Sequence, residues 1–225
     1  IFKQYQEYAG RLRDYVGETT NYLLDSVESG KPLLFEGAQG ALLDIDHGTF
    51  PFVTSSNSSG VGVSSGSGIP GQWITRTIGV VKAYSTRVGG GPLPTEQDNE
   101  IGKHLQERGK EFGTVTQRPR RCGWFDAVAT RYSARLSGAD ELAVMLLDVL
   151  SEIDELRICT GYKINGNVTN EFPAHIDDLK AAEPIYETLP GWKDDLTTVR
   201  NEADLPTNAI KYLSLIHISE PTRLL

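Results

Sequence analysis

The sequence LAVMLLD, residues 142–148, is the stretch that decides the fold class. Six apolar residues follow one another in Leu142–Leu147, and the run ends at Asp148. A continuous apolar run of this length is typical of a parallel strand that is buried on both faces. We therefore expect Asp148 at the carboxyl end of a strand, the edge of an open sheet where ligands bind.

Other segments predict helices and strands that alternate along the chain. Residues 2–29 place apolar side chains near a period of 3.6, which predicts one long helix. Asn99–Arg108 and Trp124–Leu136 show the same period, whereas the apolar run Pro32–Phe35 predicts a buried strand. Thr75–Tyr84 fits either a strand or a helix.

A β-hairpin is predicted near the middle of the chain's second half. Arg157–Ile164 and Asn167–Phe172 flank Asn165-Gly166, a sequence typical of a two-residue hairpin turn. Together these segments predict an α/β fold with a mostly parallel central sheet, flanking helices and a β-hairpin.

Composition excludes several classes of protein. With 39% hydrophobic and 23% charged residues, the 225-residue chain has an ordinary globular composition. Its net charge of −8 disfavours non-specific nucleic-acid binding, and no apolar run reaches the length of a membrane span. Cys122 and Cys159 lack metal-ligand spacing and are interpreted as free thiols, so we expect a cytoplasmic protein.

Two segments rich in small residues are candidate ligand sites. Glu36-Gly37-Ala38-Gln39-Gly40 forms a turn after the predicted strand Pro32–Phe35. Residues 55–68 contain seven Ser and four Gly, which is compatible with a flexible linker or with backbone N–H groups that bind phosphate. Neither segment has the lysine of a P-loop, so an unrelated nucleotide hydrolase is disfavoured.

The strongest local signal for an anion site is Arg118-Pro119-Arg120-Arg121. Guanidinium groups bind carboxylate or phosphate through two parallel hydrogen bonds, and Pro119 stiffens the loop. A helix beginning near Trp124 would add the positive end of its dipole. The alternatives are a solvated patch or pairing with nearby acidic residues.

Asp148 has two carboxylate oxygens that suit guanine, whose N1 and N2 present two adjacent donors. Its alternative role is that of a helix N-cap or a turn residue. Gln39 and Thr54 flank glycine-containing turns as neutral hydrogen-bonding groups, and His47 is interpreted as structural.

Five segments, in this order along the chain, resemble the adenylosuccinate synthetase family. They are LFEGAQGALLDIDHGTFPFVTSSN (34–57), KAYSTRVGGGP (82–92), EFGTVTQRPRRCGW (111–124), LLDVL (146–150) and EPIYETLPGW (183–192). The resemblance implies an Mg²⁺-requiring, homodimeric enzyme that uses GTP to join IMP and L-aspartate into adenylosuccinate, releasing GDP and phosphate. Without such catalysis, the chain would be an anion-binding module.

The resemblance also implies roles for individual residues. The residues expected to bind IMP are Gln39, Thr54, Val88 and Arg118. Those expected to bind aspartate are Thr114, Val115, Thr116, Gln117, Arg118, Pro119 and Arg120. Those expected to bind GTP are Arg120, Leu146, Leu147 and Asp148.

The sequence departs from the family pattern at several places. Gln117 replaces the usual Gly, and Leu146 replaces a frequent Lys. No glycine-rich, lysine-bearing N-terminal loop is present, so the resemblance implies that residues 1–213 are a fragment without the catalytic and Mg²⁺-binding residues and without activity of its own. Residues 214–225 resemble nothing in the family and are expected to be a non-native tail.

Overall fold

The computed structural model describes residues 1–113, 117–219 and 223–224. The helices in these residues are α1 Phe2–Leu12, α2 Thr19–Glu28, α3 Gly62–Ser67, α4 Glu100–Arg108, α5 Ala127–Ser137, α6 Ile176–Lys180 and α7 Thr207–Ser219. The strands are β1 Ile78–Lys82, β2 Ser85–Arg87, β3 Arg121–Gly123, β4 Phe125–Asp126, β5 Glu141–Met145, β6 Glu155–Ile164, β7 Asn167–Thr169, β8 Glu183–Pro190 and β9 Arg223–Leu224. Among the helices of these described residues, none could span a lipid bilayer.

The strands form three sheets in the described part of the chain. The first is wholly parallel, in the order β1-β5-β9, with Ile78 opposite Glu141 and Lys82 opposite Met145. In the second, β6 pairs with β4 in parallel and with β7 and β8 in antiparallel orientation. The third is the antiparallel pair β2-β3. The predicted α/β class and the hairpin β6-β7 are therefore confirmed, but most pairs outside the first sheet are antiparallel.

The strand predicted from the apolar run 142–147 is present as β5. Leu142 is buried, whereas Met145 is 50% exposed, so the strand is not covered along its whole length. The carboxyl ends of β1 and β5 lie side by side, because the two strands are parallel and in register. Thr75–Tyr84, which fitted a strand or a helix, contains β1.

The predicted helix over residues 2–29 is interrupted. The carboxylate of Glu18 accepts hydrogen bonds from the N–H groups of Thr20 and Asn21, at 3.1 and 2.8 Å, and so caps α2. Periodicity continues across the break because both helices carry apolar side chains with the same spacing, whereas the cap starts a separate helix.

One further prediction of secondary structure is wrong, and the predicted helix Trp124–Leu136 is present as α5 but starts later. Pro32–Phe35 forms no strand, and Leu34 is 95% exposed, since no described residue pairs with this segment. Trp124 does not begin a helix, because Phe125–Asp126 pairs with β6 and α5 begins at Ala127. The Asp126 carboxylate accepts the Ala129 N–H at 3.0 Å, so an acidic side chain already caps this helix end.

The main core lies behind the edge where β1 and β5 end. Trp124, Phe125, Leu150 and Tyr212 are among its buried members. The Tyr212 hydroxyl donates to the carbonyl of Ala83 at 2.7 Å and so ties α7 to the residue that follows β1. The described helix continues to Ser219 and Ile216 is buried, while the origin of residues 214–225 stays a prediction.

Candidate functional site

Asp148 follows the carboxyl end of β5. Ala83 N–H bonds to the Met145 carbonyl at 2.8 Å, and Leu146 then adopts a left-handed backbone (φ 62°), which starts the short 3-10 turn Leu147–Leu150. The Asp148 carboxylate makes no hydrogen bond or ion pair with any described residue, and it does not cap this turn. Both of its oxygens can therefore accept hydrogen bonds from a ligand.

A buried carboxylate lies beside the same edge. Glu111 is 1% exposed, and Lys82 at the end of β1 donates to its two oxygens at 2.7 and 2.8 Å. The Tyr84 hydroxyl donates at 2.5 Å, and Arg120 Nη1 donates at 2.8 Å. Burial alone raises the pKa of Glu111, but the hydrogen bonds from Lys82, Tyr84 and Arg120 lower it below its ordinary value. Glu111 is therefore held as a carboxylate.

The three arginines of the Arg118–Arg121 cluster have different surroundings. Arg120 pairs with Glu111, and Arg121 pairs with Glu96, so the alternative of pairing with nearby acids holds for these two. Arg118 is exposed, and its guanidinium pairs with no described residue. Arg118 is thus the member of the cluster that makes no ion pair within the described residues, which suits it to binding an anion.

The loop that carries these arginines is closed at its base. Arg120 N–H bonds to the Glu111 carbonyl at 2.8 Å, and Phe112 forms a bridge with Pro119. Gln117 has φ 51°, a left-handed conformation that favours glycine. The predicted aspartate-binding residues Thr114, Val115 and Thr116 lie outside the described residues.

Gln39 and Thr54 are brought together by the fold. Gln39 Nε2 donates to Thr54 Oγ1 at 2.9 Å across fifteen positions of sequence. The Asp44 carboxylate, which is buried, organises the segment between them. It accepts the N–H groups of Asp46, His47 and Ser59 at 3.0 Å each, and the Ser59 hydroxyl at 2.8 Å. Burial alone raises the pKa of Asp44, but these hydrogen bonds lower it well below its ordinary value.

Arg87 connects this segment to the arginine loop. Its Nη2 donates to Thr49 Oγ1 at 2.5 Å and to the Phe52 carbonyl at 3.2 Å, while β2 pairs Arg87 with Arg121. Burial, together with the charge of Arg121, lowers the pKa of Arg87. Val88 directly follows Arg87 in the sequence and is 60% exposed.

The segment around Gly91 packs closely against Arg87. A Cβ on Gly91 would lie 2.2 Å from Arg87 Nη2, so a side chain at this position would displace the Arg87 guanidinium. Arg121 donates to the Gly89 and Gly91 carbonyls at 3.0 and 2.6 Å, which ties the turn to β3. The residues that follow Val88 are therefore fixed in place.

The Ser/Gly run 55–68 is a packed segment and not a flexible linker. Gly60 N–H donates to Ser137 Oγ at 3.1 Å, and the Ser58 hydroxyl donates to the Gly40 carbonyl at 2.8 Å. The N–H groups of Ser59 and Gly60 are engaged within the protein, so these two do not bind a phosphate as the sequence suggested.

Sequence reasoning missed the groups that hold the site together. These groups contact partners that are distant in the sequence, so the spacing of neighbouring residues does not predict them. They are Asp44, Lys82, Tyr84, Arg87 and Glu111. The available signal was that all five lie within the segments 34–57, 82–92 and 111–124, which carry the family resemblance. In the described residues, no group of three or more His, Cys, Asp or Glu side chains is placed to hold a metal ion.

The family model for adenylosuccinate synthetase matches residues 1–221. The chain belongs to the adenylosuccinate synthetase family. It is 52% identical to the synthetase of Ligilactobacillus salivarius over 216 residues, which are 96% of this chain and 50% of that protein. It is 53% identical to that of Caldanaerobacter subterraneus over 213 residues, covering 95% and 50% of the two chains.

A solved structure gives the same family. The fully ligated adenylosuccinate synthetase from Plasmodium falciparum matches with a TM-score of 0.95 at 38% identity, covering 99% of this chain and 54% of that chain. The chain therefore has the family's fold over its length and spans about half the length of the curated relatives it matches.

Proposed function

We propose that this chain supplies substrate-binding parts of an enzyme that joins IMP and L-aspartate to form adenylosuccinate, with conversion of GTP to GDP and phosphate. The observation that carries the proposal is that the segment Leu146–Asp148 and the loop that carries Arg120 meet at one edge of the parallel sheet. Lys82 ends β1 opposite Met145, which precedes Leu146–Asp148, and the same Lys82 shares Glu111 with Arg120.

The IMP subsite is assigned to Gln39, Thr54, Val88 and Arg118. The amide of Gln39 suits the base near its 6-oxygen, because an amide both donates and accepts hydrogen bonds. The hydroxyl of Thr54, already 2.9 Å from Gln39 Nε2, suits the phosphate. Val88, an exposed residue, is assigned further contacts to the nucleotide through its backbone.

The aspartate subsite is assigned to the loop from Thr114 to Arg120. Arg118 pairs with none of the described residues, and its guanidinium suits a carboxylate of the substrate. Gln117 and Pro119 shape the backbone beside it.

The GTP subsite is assigned to Arg120 and Leu146–Asp148. The Asp148 carboxylate accepts the N1 and N2 donors of guanine, while Leu146 and Leu147 offer apolar or main-chain contacts to the base. A site built for two donors rejects bases that lack one of them, because its acceptors are then left unpaired.

No step of the proposed reaction is assigned to a metal ion held by this part of the chain. We place the Mg²⁺ ligands and the acid–base residues in the half of the relatives that this chain does not span. The whole enzyme is proposed to be a cytoplasmic homodimer whose ligands are the three small substrates and not nucleic acid or membrane.

A hybrid protein tests the proposal. This chain replaces the matching half of the Ligilactobacillus salivarius relative, and adenylosuccinate formation from GTP, IMP and aspartate is measured. We expect turnover by the hybrid and none by the 225-residue chain alone. No turnover by a folded hybrid, or turnover that does not need aspartate, would contradict the proposed reaction.

Base selection tests the guanine assignment in the same hybrid. Asp148→Asn replaces one acceptor with a donor that faces the guanine N2 amino group, so we expect GTP use to fall by about tenfold or more. Xanthosine triphosphate, with an oxygen at position 2, should then be used better than GTP. Asp154→Asn, a change at an exposed carboxylate, is the matched control. Unchanged nucleotide preference in Asp148→Asn would make Asp148 a turn residue only.

A further inference from the structure

Arg120 is held at three points by residues outside the arginine cluster. Its N–H bonds to the Glu111 carbonyl at 2.8 Å, its carbonyl accepts Gln106 Nε2 at 2.8 Å, and its Nη1 donates to Glu111 Oε2 at 2.8 Å. Glu111 thus contacts both the backbone and the guanidinium of Arg120, at the point where the loop leaves the core.

The pairing leaves part of the Arg120 fork available. A guanidinium has five N–H donors, and Arg120 directs only Nη1 to Glu111. Its Nε and Nη2 make no hydrogen bond with any described residue, and its side chain is 32% exposed. A ligand can therefore approach one edge of the fork while Glu111 fixes the other.

The charges of Glu111 and of the two cations that pair with it do not cancel. Glu111 carries one negative charge, whereas Lys82 and Arg120 carry two positive charges between them. The surplus positive charge favours binding of an anion at this edge. The buried carboxylate offsets the repulsion between the two cations. The Tyr84 hydroxyl completes the set of donors around Glu111.

We propose that Glu111 is a positioning residue for ligation, which orients the Arg120 guanidinium toward the aspartate and GTP subsites. It touches no substrate and acts through Arg120. The expected effect on kinetics rests on the proposed function. That Glu111 orients the Arg120 guanidinium is a statement about this chain alone.

Chemical modification of arginine tests whether Glu111 holds the Arg120 guanidinium, and it requires no measurement of enzyme activity. Phenylglyoxal is reacted with the 225-residue chain, and the rate at each arginine is followed by peptide mass mapping. Glu111→Gln removes the charge and keeps the size of the side chain, so we expect Arg120 to react about tenfold faster, the factor for one lost charge-assisted hydrogen bond. Arg87, which is buried, should stay slow and so report that the variant remains folded.

Glu96→Gln is the matched control, because Glu96 pairs with the neighbouring Arg121. This variant should accelerate modification of Arg121 and leave Arg120 unchanged. An unchanged Arg120 rate in folded Glu111→Gln would overturn the inference. If Glu111→Gln exposes Arg87, Glu111→Asp is used, and the same acceleration restricted to Arg120 is expected from its shorter reach.

Kinetics of the hybrid test the consequence for ligation. Glu111→Gln should raise the KM values for aspartate and GTP by about tenfold, while the KM for IMP changes by less than about twofold. Equal changes in all three KM values, or a loss of kcat alone, would mean that Glu111 is only structural. Failure of the unsubstituted hybrid to make adenylosuccinate would instead contradict the proposed function, and the modification rates would still decide whether Glu111 holds Arg120.

Discussion

The segment that carries Thr54 and the loop that carries Arg120 are each organised by one buried carboxylate, but with different donors. Asp44 accepts three backbone N–H groups and one hydroxyl, all of them neutral. Glu111 accepts hydrogen bonds from two cationic side chains and from a phenol hydroxyl. Asp44 therefore fixes the path of the backbone, whereas Glu111 fixes charged side chains that are themselves candidates for substrate binding.

The difference has a physical consequence. Loss of Asp44 leaves backbone donors unpaired and disrupts the segment, because a buried N–H group without a partner is costly. Loss of the Glu111 charge leaves two cations without a counter-ion, although the backbone bond between Arg120 and the Glu111 carbonyl remains. The first change affects folding most, and the second affects the orientation of a functional group most.

The largest effect is expected from Asp44→Ala, which breaks the neutral network. Four donors lose their acceptor, so the free energy of unfolding should fall by about 3–5 kcal/mol. Urea denaturation followed by circular dichroism measures this. Asp46→Ala, the same change at an exposed position two residues away, should cost less than about 1 kcal/mol. Similar losses in the two variants would contradict the role of Asp44.

Arg118→Ala tests the difference between Arg120, which is paired with Glu111, and Arg118, which is proposed to bind a substrate. Because Arg118 pairs with no described residue, its loss should leave unfolding almost unchanged. In the hybrid, aspartate use should fall by the equivalent of about 1.5–3 kcal/mol, since a charge-assisted pair with the substrate is lost. Arg118→Lys should restore only part of it, because an ammonium lacks the planar fork. Equal losses for all three substrates would indicate a structural role.

Acid should weaken both networks. The pKa values of Asp44 and Glu111 are lowered in the folded chain, so below about pH 4 the unfolded chain binds protons that the folded chain does not. Stability from these groups is complete above that pH and falls as the pH decreases, by at most about 1.4 kcal/mol per pH unit for each carboxylate. Urea denaturation at several pH values between pH 2 and about pH 6 gives the free energy of unfolding as a function of pH. This free energy should depend less steeply on pH in Glu111→Gln than in the unsubstituted chain. An unchanged slope would mean that Glu111 is not held as a carboxylate.

The smallest effect is expected at Gln117, which adjoins the arginine loop's base. Its φ of 51° costs a side-chain-bearing residue more than glycine, so Gln117→Gly should stabilise the chain by about 0.5–1 kcal/mol. Thermal unfolding measures this, with Lys103→Gly, at an exposed position inside the helix α4, as a control that should be destabilised. A lower melting temperature for Gln117→Gly would show that contacts of the Gln117 side chain outweigh the backbone strain.

The sequence predicted best those elements that depend on neighbours along the chain. The apolar run 142–147 gave β5, Asn165-Gly166 gave the hairpin β6-β7, and Asn99 caps α4 at the predicted start. It failed for Pro32–Phe35 because a strand exists only where another segment pairs with it. It failed at Trp124 because pairing of Phe125–Asp126 with β6 competes with helix formation.

The sequence by itself determined the α/β class, the family resemblance and the presence of an arginine-rich loop, since each is written in consecutive or regularly spaced residues. Only the tertiary structure decided which arginine is held and which pairs with no described residue. Glu111 meets Lys82 across 29 positions of sequence, and Asp44 meets Ser59 across 15. The physical reason is that periodicity reports which face of an element is buried, whereas the partner of a buried charge depends on which strand ends and loops the fold brings side by side.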